Sequence, residues 1–390
     1  MATGEKSGME EQVPERRKIP LDITIEAKEL KKALSFLKPY IPVRSPKPVL
    51  LCVLIDANGG TARMRATTLG LHGEYSIMAG IDQAGQILVP YKELVAVCKM
   101  AGNVVHLVGD NKTAKATWPG GESEMEAYDP AEFPIFPLIG KTIGTIEAKS
   151  LSTMLSSVSF AVEKQTYRAG TMSNICLSCE GNKLEMVATD AHRLAVITGE
   201  AMLEDFSVLL PSNAGRLLGG LDGPIILAIE ISEDRNNLLY LQAYGGGRRI
   251  AIQLGQGNFP IWKDVVPNDC DLPARVEMNG DELARIILSM VEGQENYEEP
   301  RVSLSLSSSG IEITSGKTSQ HYTATVIGKI DIKFKSELLA EGLSFIGGLV
   351  TIAMSTPGKP AKITRHPIKP GFFKDARQER MYILMPWRID

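Results

Sequence analysis

The chain restarts its own pattern partway along. Thr24-Ile25-Glu26-Ala27-Lys28 recurs as Thr145-Ile146-Glu147-Ala148-Lys149, 121 positions on (145 − 24), and Phe133-Pro134-Ile135 recurs as Phe259-Pro260-Ile261, 126 positions on (259 − 133). A helical spacing follows both openings. Leu30, Ala33, Leu34 and Leu37 fall at i, i+3, i+4 and i+7, and Leu151, Met154, Leu155 and Val158 repeat that spacing. A third opening, Val276-Glu277-Met278, leads into Leu283, Ile286, Ile287 and Met290 over a helix expected at 280–291. Such a period predicts three tandem copies of one unit, expected at 21–140, 141–270 and 271–390. Each copy reads as strand, helix, strands, second helix (91–100, 212–221 and 336–346) and further strands, the last strand at 381–389. Ser212, after Pro211, is the expected cap of the middle one of these helices. Antiparallel successions of strands with two helices per unit give an α+β class.

Composition narrows the function. The 390 residues carry 42 Lys and Arg against 46 Asp and Glu, a net charge of −4. That excludes a protein coating nucleic acid with its whole surface, but it permits a local basic face. The five cysteines, Cys52, Cys98, Cys176, Cys179 and Cys270, are odd in number and scattered, which fits a reducing cytoplasm and no disulfide framework. Cys176 and Cys179 form a C-x-x-C, but on an expected strand, where i and i+3 face opposite sides. Residues 1–20 are polar and charged, read as a disordered tail, and no apolar run is long enough to cross a membrane.

The most reactive-looking stretch is residues 188–196, Ala-Thr-Asp-Ala-His-Arg-Leu-Ala-Val, which reads as strand, polar corner, strand. Asp190, His192 and Arg193 fit a catalytic cluster, or equally a structural corner in which Asp190 accepts backbone N–H bonds and Arg193 pairs with a carboxylate or lines a groove. His72, His106, His192, His321 and His366 show no metal-ligating spacing, so no metal and no cofactor is expected. Gly245-Gly246-Gly247 lies between strand-like runs and reads as a hairpin turn. No phosphate-loop or nucleophile-elbow motif occurs, so no catalytic residues and no enzyme are expected. The first helices of the first two units carry cations at or near both ends: Lys28, Lys31, Lys32 and Lys38, then Lys149, Lys164 and Arg168. These are solvated faces, or, if the units close into a ring, a periodic lining that neutralises phosphates without reading bases.

Residues 188–196, 259–267 (Phe-Pro-Ile-Trp-Lys-Asp-Val-Val-Pro) and 382–389 (Tyr-Ile-Leu-Met-Pro-Trp-Arg-Ile) occur in this order. Together with 44–50 (Arg-Ser-Pro-Lys-Pro-Val-Leu) they resemble the bacterial DNA polymerase III β subunit family, the sliding clamps. The resemblance spans about residues 21–390. It implies a head-to-tail homodimer whose six similar domains form a ring, helices inside and antiparallel sheets outside, around double-stranded DNA without sequence specificity. It also implies a cytoplasmic, nucleoid-associated processivity factor, opened by a clamp loader. The polymerase III α subunit and other proteins with a clamp-binding motif would be its partners.

Carried onto this sequence, the resemblance implies a partner-peptide pocket of Met172, Thr189, His192, Arg193, Leu194, Pro260, Val265, Ile383, Leu384, Met385, Pro386 and Trp387, with His192 and Arg193 orienting the peptide. For DNA it implies Arg44, with Lys47, Lys28, Lys31, Lys149 and Arg168 as neighbours. For the dimer it implies Val97 and Lys99 facing Met290, Val291, Glu292 and Glu295. Ala191 stands where the family usually has glycine, Trp387 replaces a smaller apolar residue, and Ser212 and Asn213 stand where relatives often carry basic residues. The tail and the loop 369–380 look like additions. These departures leave a second reading, a paralogue with diverged partner specificity.

Overall fold

Alternation of apolar and polar residues is carried directly into strands that bury one face. Leu21, Ile23 and Ile25 are buried while Asp22 and Thr24 are not. The computed structural model describes residues 20–164, 170–231, 238–292, 300–365 and 378–387. Its chain divides into two compact units, Met1–Phe136 and Pro137–Asp390. The expected tail (1–19), Arg168, Glu295 and most of the loop 369–380 lie outside the described residues.

The first unit runs β1 (Leu21–Glu26), α1 (Ala27–Leu37), β2 (Cys52–Asn58), β3 (Thr61–Thr67), β4 (Leu71–Met78), β5 (Gly80–Gln83), β6 (Gly85–Pro90), α2 (Tyr91–Met100), β7 (Val104–Gly109), β8 (Thr113–Trp118) and β9 (Gly121–Glu126). One sheet has the order β5-β1-β7-β8-β9, and another run is β4-β3-β2-β6. α1 buries Leu30, Ala33, Leu34 and Leu37 and leaves Lys28, Lys31 and Lys32 exposed. Pro39 cannot continue an α-helix, and the chain turns through a short 3-10 segment, Lys38–Tyr40.

The second unit holds the pattern twice. First come β10 (Lys141–Glu147), α3 (Ala148–Val158), β11 (Asn174–Glu180), β12 (Lys183–Thr189), β13 (Arg193–Glu200), β14 (Phe206–Pro211), α4 (Ala214–Leu218), β15 (Pro224–Ile231), β16 (Leu238–Gly245) and β17 (Arg248–Gln253). Then come β18 (Ala274–Asn279), α5 (Gly280–Val291), β19 (Arg301–Ser307), β20 (Gly310–Ser315), β21 (Thr318–Tyr322), β22 (Thr325–Ile327), β23 (Ile330–Lys335), α6 (Ser336–Ile346), β24 (Leu349–Met354), β25 (Ala361–Arg365) and β26 (Glu379–Leu384). Within each repeat the opening strand joins the closing three (β1-β7-β8-β9, β10-β15-β16-β17, β18-β24-β25-β26). Four further strands of each repeat form a second group (β4-β3-β2-β6, β13-β12-β11-β14, β21-β20-β19-β23). The two helices of each repeat pack on one another.

Two expected elements are shorter than their sequence suggests. α4 spans Ala214–Leu218 rather than 212–221, and neither Ser212 nor Asn213 caps it through its side chain. Gly215 lies so close to α3 that a Cβ would fall 2.4 Å from Ser156 Oγ, and Ser152 Oγ donates to the Gly215 carbonyl at 2.7 Å. Close approach of two backbones, not helix length, is what this segment provides. β26 stops at Leu384, two residues before Pro386, which has no N–H for a ladder.

The second and third repeats are joined by strand pairing. β13 runs antiparallel to β26, from Arg193↔Leu384 to Thr198↔Glu379, making a continuous nine-stranded sheet, β14-β11-β12-β13-β26-β25-β24-β18-β22.

Candidate protein-docking site at the joint

The β12–β13 corner is built by side chains that replace missing backbone bonds. Thr189 Oγ1 donates to the Arg193 carbonyl at 2.6 Å, and the Ala191 N–H donates to Thr189 Oγ1 at 3.2 Å. Asp190 Oδ1 accepts from the His192 and Arg193 N–H groups, both at 3.0 Å. This is the structural-corner reading of Asp190. It forces Ala191 to φ +71°, a left-handed conformation that costs a residue with a Cβ about 1–2 kcal/mol. The first unit has the same corner: Thr67 Oγ1 donates to the Leu71 carbonyl, the Leu69 N–H donates to Thr67 Oγ1, and Leu69 has φ +76°. These are the two positive-φ non-glycine residues among the described residues.

Arg193 pairs with carboxylates, as the structural-corner reading has it. It is 6% exposed, on the face of β13 that looks toward α6. Its Nε donates to Asp190 Oδ2 at 2.9 Å, Nη1 to Glu341 Oε2, and Nη2 to the Phe160 carbonyl at 2.9 Å, with the guanidinium 5.2 Å from the Phe160 ring centre. Burial alone would disfavour the charge, but Tyr382, Glu341 and Asp190 around it more than offset that and raise its pKa. With these donors spent on the second repeat and on α6 of the third, Arg193 ties the repeats together. Tyr382 completes the tie, stacking with Phe160 and Phe345 and donating its hydroxyl hydrogen to the Leu338 carbonyl at 2.8 Å.

The opposite face of the same sheet carries an apolar strip. Cys176, Val187, Leu194, Val196, Leu209 and Ile383 form one buried cluster, with Leu194 directly across the joint from Ile383. Phe259, Trp262 and Val266, from the link between the repeats, and Met381 pack against it. Of the residues expected in the pocket, Leu194 and Ile383 are thus brought together. Exposed His192 lies at the rim, its carbonyl accepting the Met385 N–H at 2.9 Å. Met172 is half-buried in the turn Thr171–Ser173, its carbonyl accepting the Glu163 N–H at 3.0 Å.

Other expected residues fall elsewhere. Val265 is 55% exposed and its neighbour Val266 makes the packing contact, a slip of one position on a short 3-10 turn. Leu384 is fully buried opposite Arg193, on the other face from Ile383. Thr189 spends its hydroxyl inside the corner. Exposed Pro260, with Phe259 and Trp262, lines an adjoining groove of about 990 Å³ that also holds Glu185, Asp205 and Lys263. Pro386 is buried. Trp387 contacts the third repeat: Arg301 and Lys335 lie 4.0 and 5.3 Å from its ring centre, and its N–H donates to the Lys333 carbonyl at 2.7 Å. Sequence reasoning missed Phe259, Trp262, Val266 and Met381. The period-two alternation Met381–Ile383, matching Leu194–Val196, is the signal that marks part of them.

Lys28, Lys31, Arg44, Lys47 and Lys149 are all exposed, as a phosphate-facing role requires. Of the expected dimer residues, Lys99 and Glu292 are exposed and Val291 half-buried, but Val97 (1% exposed) and Met290 (7%) belong to the cores of their own repeats, because each lies on the inward stripe of its helix. Exposed Met100 (56%) and Leu288 (50%) are the large apolar side chains those two helices present outward.

The family model for the DNA polymerase III beta subunit, N-terminal domain, matches residues 21–135. The chain is 26% identical over 337 residues to the beta sliding clamp of Synechococcus elongatus, covering 81% of this chain and 87% of that one. It is 23% identical over 388 residues to the beta sliding clamp of Streptomyces coelicolor, covering 95% and 100%. The crystal structure of the DNA polymerase sliding clamp from Bacillus subtilis superposes with a TM-score of 0.82 at 18% identity, over 95% of this chain and all of that one.

Proposed function

We propose that this chain works as a β sliding clamp of the bacterial DNA polymerase III β subunit family: a non-catalytic ring of two chains, head to tail, that encircles double-stranded DNA and tethers polymerase III and other DNA enzymes. The observation that carries this reading is the β13–β26 joint. By the repeat, β13 corresponds to β21 in the third repeat, and β26 corresponds to β9 in the first. Both counterparts are sheet edges: β9 ends the order β5-β1-β7-β8-β9, and β21 ends β21-β20-β19-β23. The opposite edge, β23, bonds Trp387 through Lys333. Pairing β21 of one chain with β9 of another repeats an existing joint, and a head-to-tail contact of this kind closes when its rotation completes a circle.

The chemistry of the two edges suits this. Both hairpins have two-residue turns, so His321 and Ser319 on β21, and Glu122 and Glu124 on β9, sit at alternate positions whose backbone groups point away from their own hairpins. Lys317 and His321 then meet the glutamates of β9, while Lys99 meets Glu292 in the helix layer. DNA is held topologically by exposed cations such as Arg44 and Lys149. Partner peptides enter over the strip of Leu194 and Ile383, with His192 at its rim, and a clamp loader opens the ring.

The test is sedimentation joined to DNA retention. The chain should sediment as a dimer and, once loaded, stay on circular DNA and leave when the circle is cut. His321→Pro, which deletes an outward N–H without removing a bond of its own hairpin, should give folded monomers that are not retained. A wild-type chain that sediments only as a monomer would refute the ring.

Diverged partner specificity is favoured by one observation, the engagement of Trp387 with Arg301 and Lys335. Titration with a peptide carrying the clamp-binding motif separates the readings. Affinity near micromolar, about 8 kcal/mol, supports a general docking site, and its absence supports the diverged one.

A further inference from the structure

Far in sequence, Asp22, Asp82 and His106 meet on the solvent face of the first unit's five-stranded sheet. They come from three adjacent strands, β1, β5 and β7, and one ligand atom from each lies within 4.8 Å of the other two. His106 Nε2 is 2.6 Å from Asp22 Oδ1. Two further features point to a built arrangement. The β1–β5 register breaks at this spot: Asp22 faces Gln83 and Ile23 faces Ile81, so Asp82 is the extra residue of a β-bulge. Bulges re-aim side chains, and the bulged residue here is the one that supplies the second carboxylate. On the other side, Thr117 Oγ1 stands 3.4 Å from His106 Nδ1. Thr117 can accept from Nδ1 once an ion takes the Nε2 position now hydrogen-bonded to Asp22, the support a metal-bound imidazole commonly has.

We propose that Asp22, Asp82 and His106 form a divalent transition-metal site. One nitrogen and two carboxylate oxygens favour zinc or a neighbouring first-row ion over magnesium, which takes oxygen donors. In a tetrahedral zinc shell the ligand atoms stand about 3.3 Å apart at bonds of about 2.0 Å, so closure needs small side-chain movements only. The remaining coordination position faces solvent beside a groove of about 860 Å³ lined by His106, Lys115 and Thr117. The ion fastens edge strand β5 to β1 and β7. This edge is opposite to β9, so the site stands apart from the assembly proposed above.

The probe is Zn²⁺ titrated calorimetrically into the full chain after treatment with chelator. One saturable site per chain is expected, weakened at least ten-fold by Asp82→Asn and by His106→Gln. Co²⁺ in place of Zn²⁺ should give visible absorption that both substitutions remove, and amide exchange in β5 should slow when the ion is bound. Asp82→Asn is nearly isosteric on an exposed strand, which keeps the test sound if His106→Gln disturbs the sheet. Absence of saturable uptake, or uptake that survives both substitutions and is lost in His321→Gln instead, overturns the proposal.

Discussion

Replacing Arg193 by alanine separates a structural tie from a ligand-facing arginine. The substitution removes two charge-assisted bonds, to Asp190 and Glu341, and one to the Phe160 carbonyl, together with the contact over the Phe160 ring. Breaking a fully buried pair costs about 3–5 kcal/mol, because the remaining carboxylate is left unpaired. Here the Asp190 side chain is 14% exposed and that of Glu341 32%, so water relieves part of the cost on the Glu341 side. About 2–4 kcal/mol remains. With an m-value near 3 kcal/mol per molar urea for a unit of this size, the unfolding midpoint should fall by roughly 1 M. Glu341→Gln should cost less, about 1 kcal/mol, because the neutral amide keeps an acceptor for the guanidinium. Arg193 and Glu341 together should lose less than the sum of the two single changes, a coupling of about 1–2 kcal/mol. Amide exchange would locate the loss along β13 and β26. An Arg193→Ala variant within 0.5 kcal/mol of the parent (about the scatter of ordinary surface changes) that bound a clamp-motif peptide at least ten-fold more weakly would refute the tie and return Arg193 to the groove wall.

Ala191→Gly should stabilise the second unit by about 0.5–1 kcal/mol, the relief of a left-handed backbone less the entropy a glycine loses on folding, raising its melting temperature by roughly 1–4 °C; a lower melting temperature would mean the corner holds no strain. Burial pushes the Cys52 thiol up to about 12 and that of Cys98 up to about 11, and raises those of Cys176 and Cys179. A disulfide reagent at pH 8 should therefore label exposed Cys270 rapidly and the other four only on unfolding. Between about pH 9 and 11 the folded chain keeps protons that the unfolded chain releases, so stability should fall as pH rises through that window and be unaffected by these groups below it; equal labelling of all five thiols in the native state would contradict the burial. Arg44→Glu should reduce retention on circular DNA and flatten its salt dependence, and a salt slope equal to that of the parent would remove Arg44 from the DNA contact.

Much of the fold was legible because its signals are local and periodic. Helices expected at 91–100, 280–291 and 336–346 occupy those residues, since amphipathic spacing and flanking strands leave few alternatives. Asp190 was legible as a corner acceptor because an Asx side chain two or three residues before free N–H groups does little else. Arg193 was not: which face of β13 it occupies depends on strand parity, and its carboxylate partner, Glu341, lies 148 positions away. Val265 against Val266 is the same problem at its smallest, one residue of rotation on a 3-10 turn. Asp22, Asp82 and His106 gave no motif at all, because a sheet order and a bulge bring them together rather than any spacing along the chain.

The β13–β26 joint has a mechanical consequence. Elements of a closed loop under load behave as springs in series, and deformation gathers in the most compliant. A seam of shared ladder bonds with an arginine clamp behind it, inside one covalent chain, is stiff. A seam between separate chains built on β9 and β21 has no such clamp at its corner: Gly316 and Lys317 stand where the second repeat has Asp190 to His192. Torque applied to the proposed ring would therefore be resisted less at that seam than at the β13–β26 joint.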